Sequence, residues 1–125
     1  GNRGIGLEIA RQLARKNIAV VIGARDFEKG RAAAHTIASD GLAAEAVVLD
    51  VTDGNSVAKA VENVVRRHGR IDILVNNAAI LVDGPGGFKS SLFELKAETA
   101  RQTFETNVLG PLRLTQAVVP IMQRN

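Results

Sequence analysis

The sequence predicts an α/β fold with a doubly wound parallel sheet, on three observations. Short apolar runs alternate with segments whose apolar residues recur at helical spacing. The runs are unbroken and rich in β-branched residues, as in strands covered on both faces. Each run is joined to the next through a segment long enough for the crossover that parallel strands require. At 125 residues, with 46% hydrophobic and 23% charged residues, the chain is one small globular domain.

The elements follow in order. Residues 4 to 16 repeat apolar positions at Ile5, Ile9, Ala10 and Leu13, with Glu8, Arg11, Arg15 and Lys16 on the other face, which predicts a one-sided helix. Ile18 to Gly23 reads as a buried strand, and the Ala-rich segment 27–39 as a helix stopped by Gly41. Ala46 to Leu49 is a second strand ending at Asp50. Asp53 caps a third helix, whose stripe is Val57, Ala60, Val61, Val64 and Val65, and Gly69 ends it. Ile71 to Val75 is a third strand. Residues 81–96, with Asp83, Gly84, Pro85, Gly86, Gly87 and two serines, have loop composition. The last element is a long helix over 97–123, kinked at Gly110-Pro111. No strand precedes the first helix.

Composition excludes several classes of function. No apolar run approaches the ~20 residues of a membrane span, and no leader-like segment opens the sequence, so no membrane partner is expected and the expected compartment is the cytoplasm. With no Cys and only His35 and His68, a thiolate or zinc site is not expected, and both histidines read as solvent-facing helix residues. The net charge of +3 and pI of 9.8 suit an anionic small molecule. Nucleic acid is not expected, because the basic residues are scattered and the only aromatics are Phe27, Phe88, Phe93 and Phe104.

Gly1-Asn2-Arg3-Gly4-Ile5-Gly6 places glycines at the entry to the first helix, where amides can approach a phosphate and the helix terminus adds donors and partial positive charge. Together with Leu49-Asp50-Val51-Thr52-Asp53, Asn76-Asn77-Ala78-Ala79 and Thr106-Asn107-Val108, it closely resembles the classical short-chain dehydrogenase/reductase family. Gly23-Ala24-Arg25-Asp26 and Asn107-Val108-Leu109-Gly110 are most similar to its carbonyl-reductase-like branch. The family fingerprint is Thr-Gly-x-x-x-Gly-x-Gly, so Gly4 and Gly6 match its last two glycines, and the Thr-Gly and the first strand would lie before residue 1. The resemblance implies that residues 1–125 are a partial dinucleotide-binding domain of the Rossmann fold, without the first strand or the C-terminal catalytic half. In the family's strand order that first strand lies between Ile18–Gly23 and Ile71–Val75, so a gap ~10 Å wide should separate them and leave the isolated chain unstable or rearranged.

The resemblance also distributes roles. Asn2, Gly4, Ile5 and Gly6 would meet the pyrophosphate side of the cofactor, and Arg3 would add a second cation on the same side as Arg25. Arg25, which follows a strand 19 residues after Gly6, offers positive charge where an acid would hold the ribose of NAD, and this favours NADP; the plainer reading is a solvated Arg25 neutralised by Asp26. Asp50 would accept from the adenine amino group with Val51 beside it, or else belong only to a capping segment. Asn77 and Ala78 would meet the ribose or nicotinamide, Ala79 standing where the family has glycine. Asn107 would brace a helix distortion and hold a water of the proton relay.

In the family a Tyr donates the proton, aided by a Lys four residues later, and a Ser orients the carbonyl. The chain contains no Tyr. It is therefore expected to be inactive as given, as the cofactor-binding portion of an NADP(H)-dependent oxidoreductase acting on a small carbonyl or alcohol substrate. The competing reading is a non-catalytic nucleotide-binding or protein-interaction module. Apolar residues on more than one face of the 97–123 helix (Phe104, Val108, Leu112, Val118, Val119, Ile121) mark it for self-association or for cover by further chain.

Overall fold

The computed structural model describes residues 4–77, 93 and 96–124. In chain order these form α1 (Gly4–Arg15), β1 (Val20–Ala24), α2 (Phe27–Ala38), β2 (Ala44–Val48), α3 (Gly54–His68), α4 (Ala97–Phe104), a π-helical turn (Glu105–Leu109) and α5 (Gly110–Gln123). The predicted loop at 81–96 lies, apart from Phe93 and Lys96, outside the described residues.

β1 and β2 pair in parallel, in register from Val20 opposite Ala44 to Ala24 opposite Val48. Successive side chains leave opposite faces of a sheet, and two clusters form accordingly. Ala10, Ala14, Ile22, Ala33, Ala34 and Ile37 join α1, β1 and α2. Val51, Val57, Leu114 and Val118, with Leu49, Ile71 and Leu74 against them, join α3 and α5. Helices on both faces of a parallel sheet make this an incomplete Rossmann-like α/β fold.

Several predicted boundaries move. β1 starts at Val20 because Ile18 is drawn into the end of α1: Asn17 takes a left-handed φ of 64°, its N–H donates to Ala14 O at 3.0 Å and the Ile18 N–H donates to Leu13 O at 3.2 Å. These two bonds are those of a Schellman cap, with Asn in the place more often given to glycine. β2 begins two residues early, because pairing with Val20 and Val21 recruits Ala44 and Glu45. The two predicted caps of α3 fall where the sequence puts them, and a third, at Asp26, is added by the structure. Asp53 Oδ1 accepts from the Asn55 amide at 2.9 Å, and Gly69 closes α3 at φ 77°. Asp26 heads α2, accepting from the amides of Glu28 and Lys29.

Two elements differ in kind. Ile71–Val75 is not a strand in the structure, since the only sheet among the described residues has the order β1-β2. A strand exists only by its ladder, and between β1 and residues 71–77 lies a cleft of about 670 Å³ lined by Ile18–Gly23 on one side and Ile71–Asn77 on the other. The two segments are thus separated, as the anticipated strand order requires. The distortion of the long C-terminal helix sits at Glu105–Leu109, not at Pro111. Pro111 falls in the first turn of α5, where its missing N–H costs little, and the extra residue is absorbed one turn earlier.

Candidate functional site

The carboxyl ends of β1 and β2 open at the same edge, where ligands gather in parallel sheets. The start of α1 faces that edge. Gly4 holds φ 61°, a conformation that side chains resist, with open space where a Cβ would stand. Gly6 is buried in the wall of the cleft, and the first turn of α1 carries no acidic residue to compete for its free amides. Ile5 is 76% exposed, so it leaves the core stripe to which its spacing assigned it and presents an apolar surface at the helix entrance.

Arg25 follows β1 directly and is exposed. Its neighbour Asp26 commits its carboxylate to the α2 cap. Asp50, just beyond β2, is half-buried in a tight turn: its Oδ1 accepts from the Thr52 hydroxyl at 2.6 Å and the Thr52 amide at 3.0 Å, while its own N–H donates to Ser56 Oγ at 2.8 Å. The Thr52 hydroxyl, the Thr52 amide and the charges of Arg25 and Arg113 hold the Asp50 carboxyl below the ordinary carboxylate value, against a smaller opposing effect of burial. The negative charge is thereby kept at this edge. Val51 is buried beside it.

Gly6, Val51, Asn76 and Asn77 all line the cleft that separates β1 from residues 71–77. Asn76 Nδ2 donates to Thr115 Oγ1 at 3.3 Å, tying the 71–77 segment to α5 in the absence of a ladder. Asn107 lies half-buried within the π-helical turn, next to the buried Thr106. Asn2, Arg3 and Ala78 lie outside the described residues. His68 is more than a solvated residue: its Nε2 is 2.7 Å from Glu45 Oε1, which also meets Arg67.

The first comparison is decisive: a family model described as short chain dehydrogenase matches residues 1–125. The chain belongs to the short-chain dehydrogenase family. Within the family it is 36% identical over 98% of its length to human carbonyl reductase (NADPH) 3, and 35% identical over 97% to human dehydrogenase/reductase SDR family member 4, covering 42% of each. A metagenomic short-chain oxidoreductase solved in complex with NADP superposes with a TM-score of 0.86 at 35% identity, over 97% of this chain and 52% of that one. The chain thus spans about half the length of the relatives it matches. No helix among the described residues is long and apolar enough to cross a membrane.

Sequence reasoning missed Arg113, Glu105 and Thr115. They sit on helical surface positions, and their partners at the site are as far as 62 residues away in the chain. No local pattern announces them.

Proposed function

We propose that this chain is the cofactor-binding portion of an NADP(H)-dependent reductase or alcohol dehydrogenase that moves hydride between the nicotinamide and a small carbonyl or alcohol. The observation that carries the NADP(H) preference is Arg25, an exposed cation at the carboxyl end of β1 with its adjacent acid engaged elsewhere. A 2′-phosphate is recognised by such a charge, and a ribose diol by an acid. The relative named for NADPH and the neighbour solved with NADP support the same reading.

The roles assigned to the residues follow. The amides at the start of α1 hold the pyrophosphate together with Asn2; Gly4 and Gly6 let it approach, Ile5 packs an apolar surface against the cofactor, and Arg3 adds a second cation beside Arg25 for the 2′-phosphate. Asp50 accepts from the adenine amino group, which its retained charge favours, and Val51 walls that subsite. Asn77 and Ala78 orient the ribose on the nicotinamide side, and Asn107 holds a water of the proton relay. Bound NADP(H) supplies the hydride. By the family resemblance a Tyr donates the proton, and these 125 residues contain none.

The test uses the full-length native protein. NADPH should bind more tightly than NADH, and Arg25→Ala should raise the NADPH dissociation constant about tenfold while leaving NADH within about twofold. Tighter NADH binding by the unaltered protein overturns the preference. Failure to turn over any carbonyl with NADPH would favour the non-catalytic module.

A further inference from the structure

The turn that follows β2 is fixed at both ends by its own residues, through Asp50 with Thr52 and Ser56 and through the cap at Asp53. Between them, the Val51 carbonyl is taken by a residue from another part of the fold: Arg113 of α5 donates one N–H to it at 2.8 Å. A second N–H of the same guanidinium donates to the Glu105 carboxylate in the π-helical turn. Both side chains are only about one-third exposed, 31% and 37%. Contact is close around this pair, since a Cβ on Gly110 would come within 2.6 Å of Val51 Cγ2. A planar guanidinium presents its donors in a rigid fork, so the Glu105 carboxylate determines where the remaining N–H points.

We propose that Arg113, oriented by Glu105, is a positioning residue of the cofactor site that holds the Asp50–Val51 turn in place for the adenine half of the cofactor. It acts through the Val51 peptide and touches no reacting atom. The inference rests on the NADP(H) reading above and names the residues that shape one half of that site. It also joins the adenine side to the helical turn carrying Asn107, because one arginine is bonded to both.

The experiment measures binding of two half-cofactors to the full-length native protein. Adenosine 2′,5′-bisphosphate probes the adenine half, and reduced nicotinamide mononucleotide the other. Arg113→Met should weaken the bisphosphate about tenfold and leave the mononucleotide within about twofold, with Glu105→Gln acting in the same direction but less. Arg113→Lys keeps the charge but cannot make both bonds, so it should still weaken the bisphosphate about threefold. Equal weakening of both probes marks a merely structural role and overturns the proposal. So does full affinity in Arg113→Met, or full rescue by Arg113→Lys, which would leave charge alone as the cause. Failure of the unaltered protein to bind NADPH is a separate result that overturns the function proposed above along with this inference.

Discussion

The two halves of this chain are held together by different means. From α1 to β2, backbone bonds set most of the geometry: a parallel ladder of five residue pairs and a Schellman cap, with the Asp26 side chain heading α2, accompany the fully buried Ile37. Residues 71–77 and the C-terminal helices make no ladder, and side chains fasten them instead, Asn76 to Thr115 and Arg113 to the Val51 carbonyl. Backbone ladders tolerate most side-chain changes, whereas a side-chain bond vanishes with its residue. The contrast teaches that substitutions in the first half act through packing, and in the second through packing on α3 joined by a few polar contacts and one close approach.

The largest effect should come from the first half. Ile37→Ala removes a fully buried side chain from the α1–β1–α2 cluster and should cost about 2–5 kcal/mol, read by denaturant unfolding. A cost near zero would mean that this half is loosely packed and would erase the comparison. A smaller effect is expected at the contact between the halves. Gly110→Ala drives a methyl group into Val51, and relieving it must move α5 or the β2–α3 turn, at about 1–3 kcal/mol. Combining it with Val51→Ala should recover part of that loss, which a double-mutant cycle would show.

The smallest effect sharpens the comparison through pH. The folded Asp50 carboxyl titrates below its unfolded value, chiefly because of the Thr52 hydroxyl. Its contribution is therefore present above the ordinary carboxylate value and lost as pH falls through the lower folded value. Thr52→Val should bring the Asp50 titration, followed by carboxyl NMR, back toward the ordinary value and flatten the acid limb of stability between the two. An unmoved titration would assign the shift to the residue-52 amide, Arg25 and Arg113 instead.

What was legible in the sequence follows the same division. Helix limits set by local chemistry, at Asp53 and Gly69, were readable because each cap is complete within four residues. The start of β1 was misplaced by two residues because Asn17 gave no glycine signal for the left-handed cap that consumes Ile18. Ile71–Val75 has strand composition, but composition cannot supply the neighbour a ladder needs. Proline drew the kink to 110–111, whereas the π-helical turn lies at 105–109, around the Asn107 to which the family resemblance assigns the bracing of a helix distortion. Gly6, Val51 and Asn77 share one cleft. Arg113 depends on contacts across the fold and was invisible.

The π-helical turn has a consequence for which walls the last helix can serve. Thr106, Gly110, Leu114 and Val118 are buried at a strict spacing of four, and the partly buried Met122 continues the series. From Gly110 onward, on a helix of 3.6 residues per turn, each step of four advances about 40° around the axis, so such a stripe winds instead of running straight. Gly110 meets Val51 of the turn after β2, while Leu114 and Val118 share a cluster with Val57 of α3. One rod can brace two neighbours that do not share a plane, and inserting or deleting a single residue upstream of Gly110 would rotate the whole rod away from both.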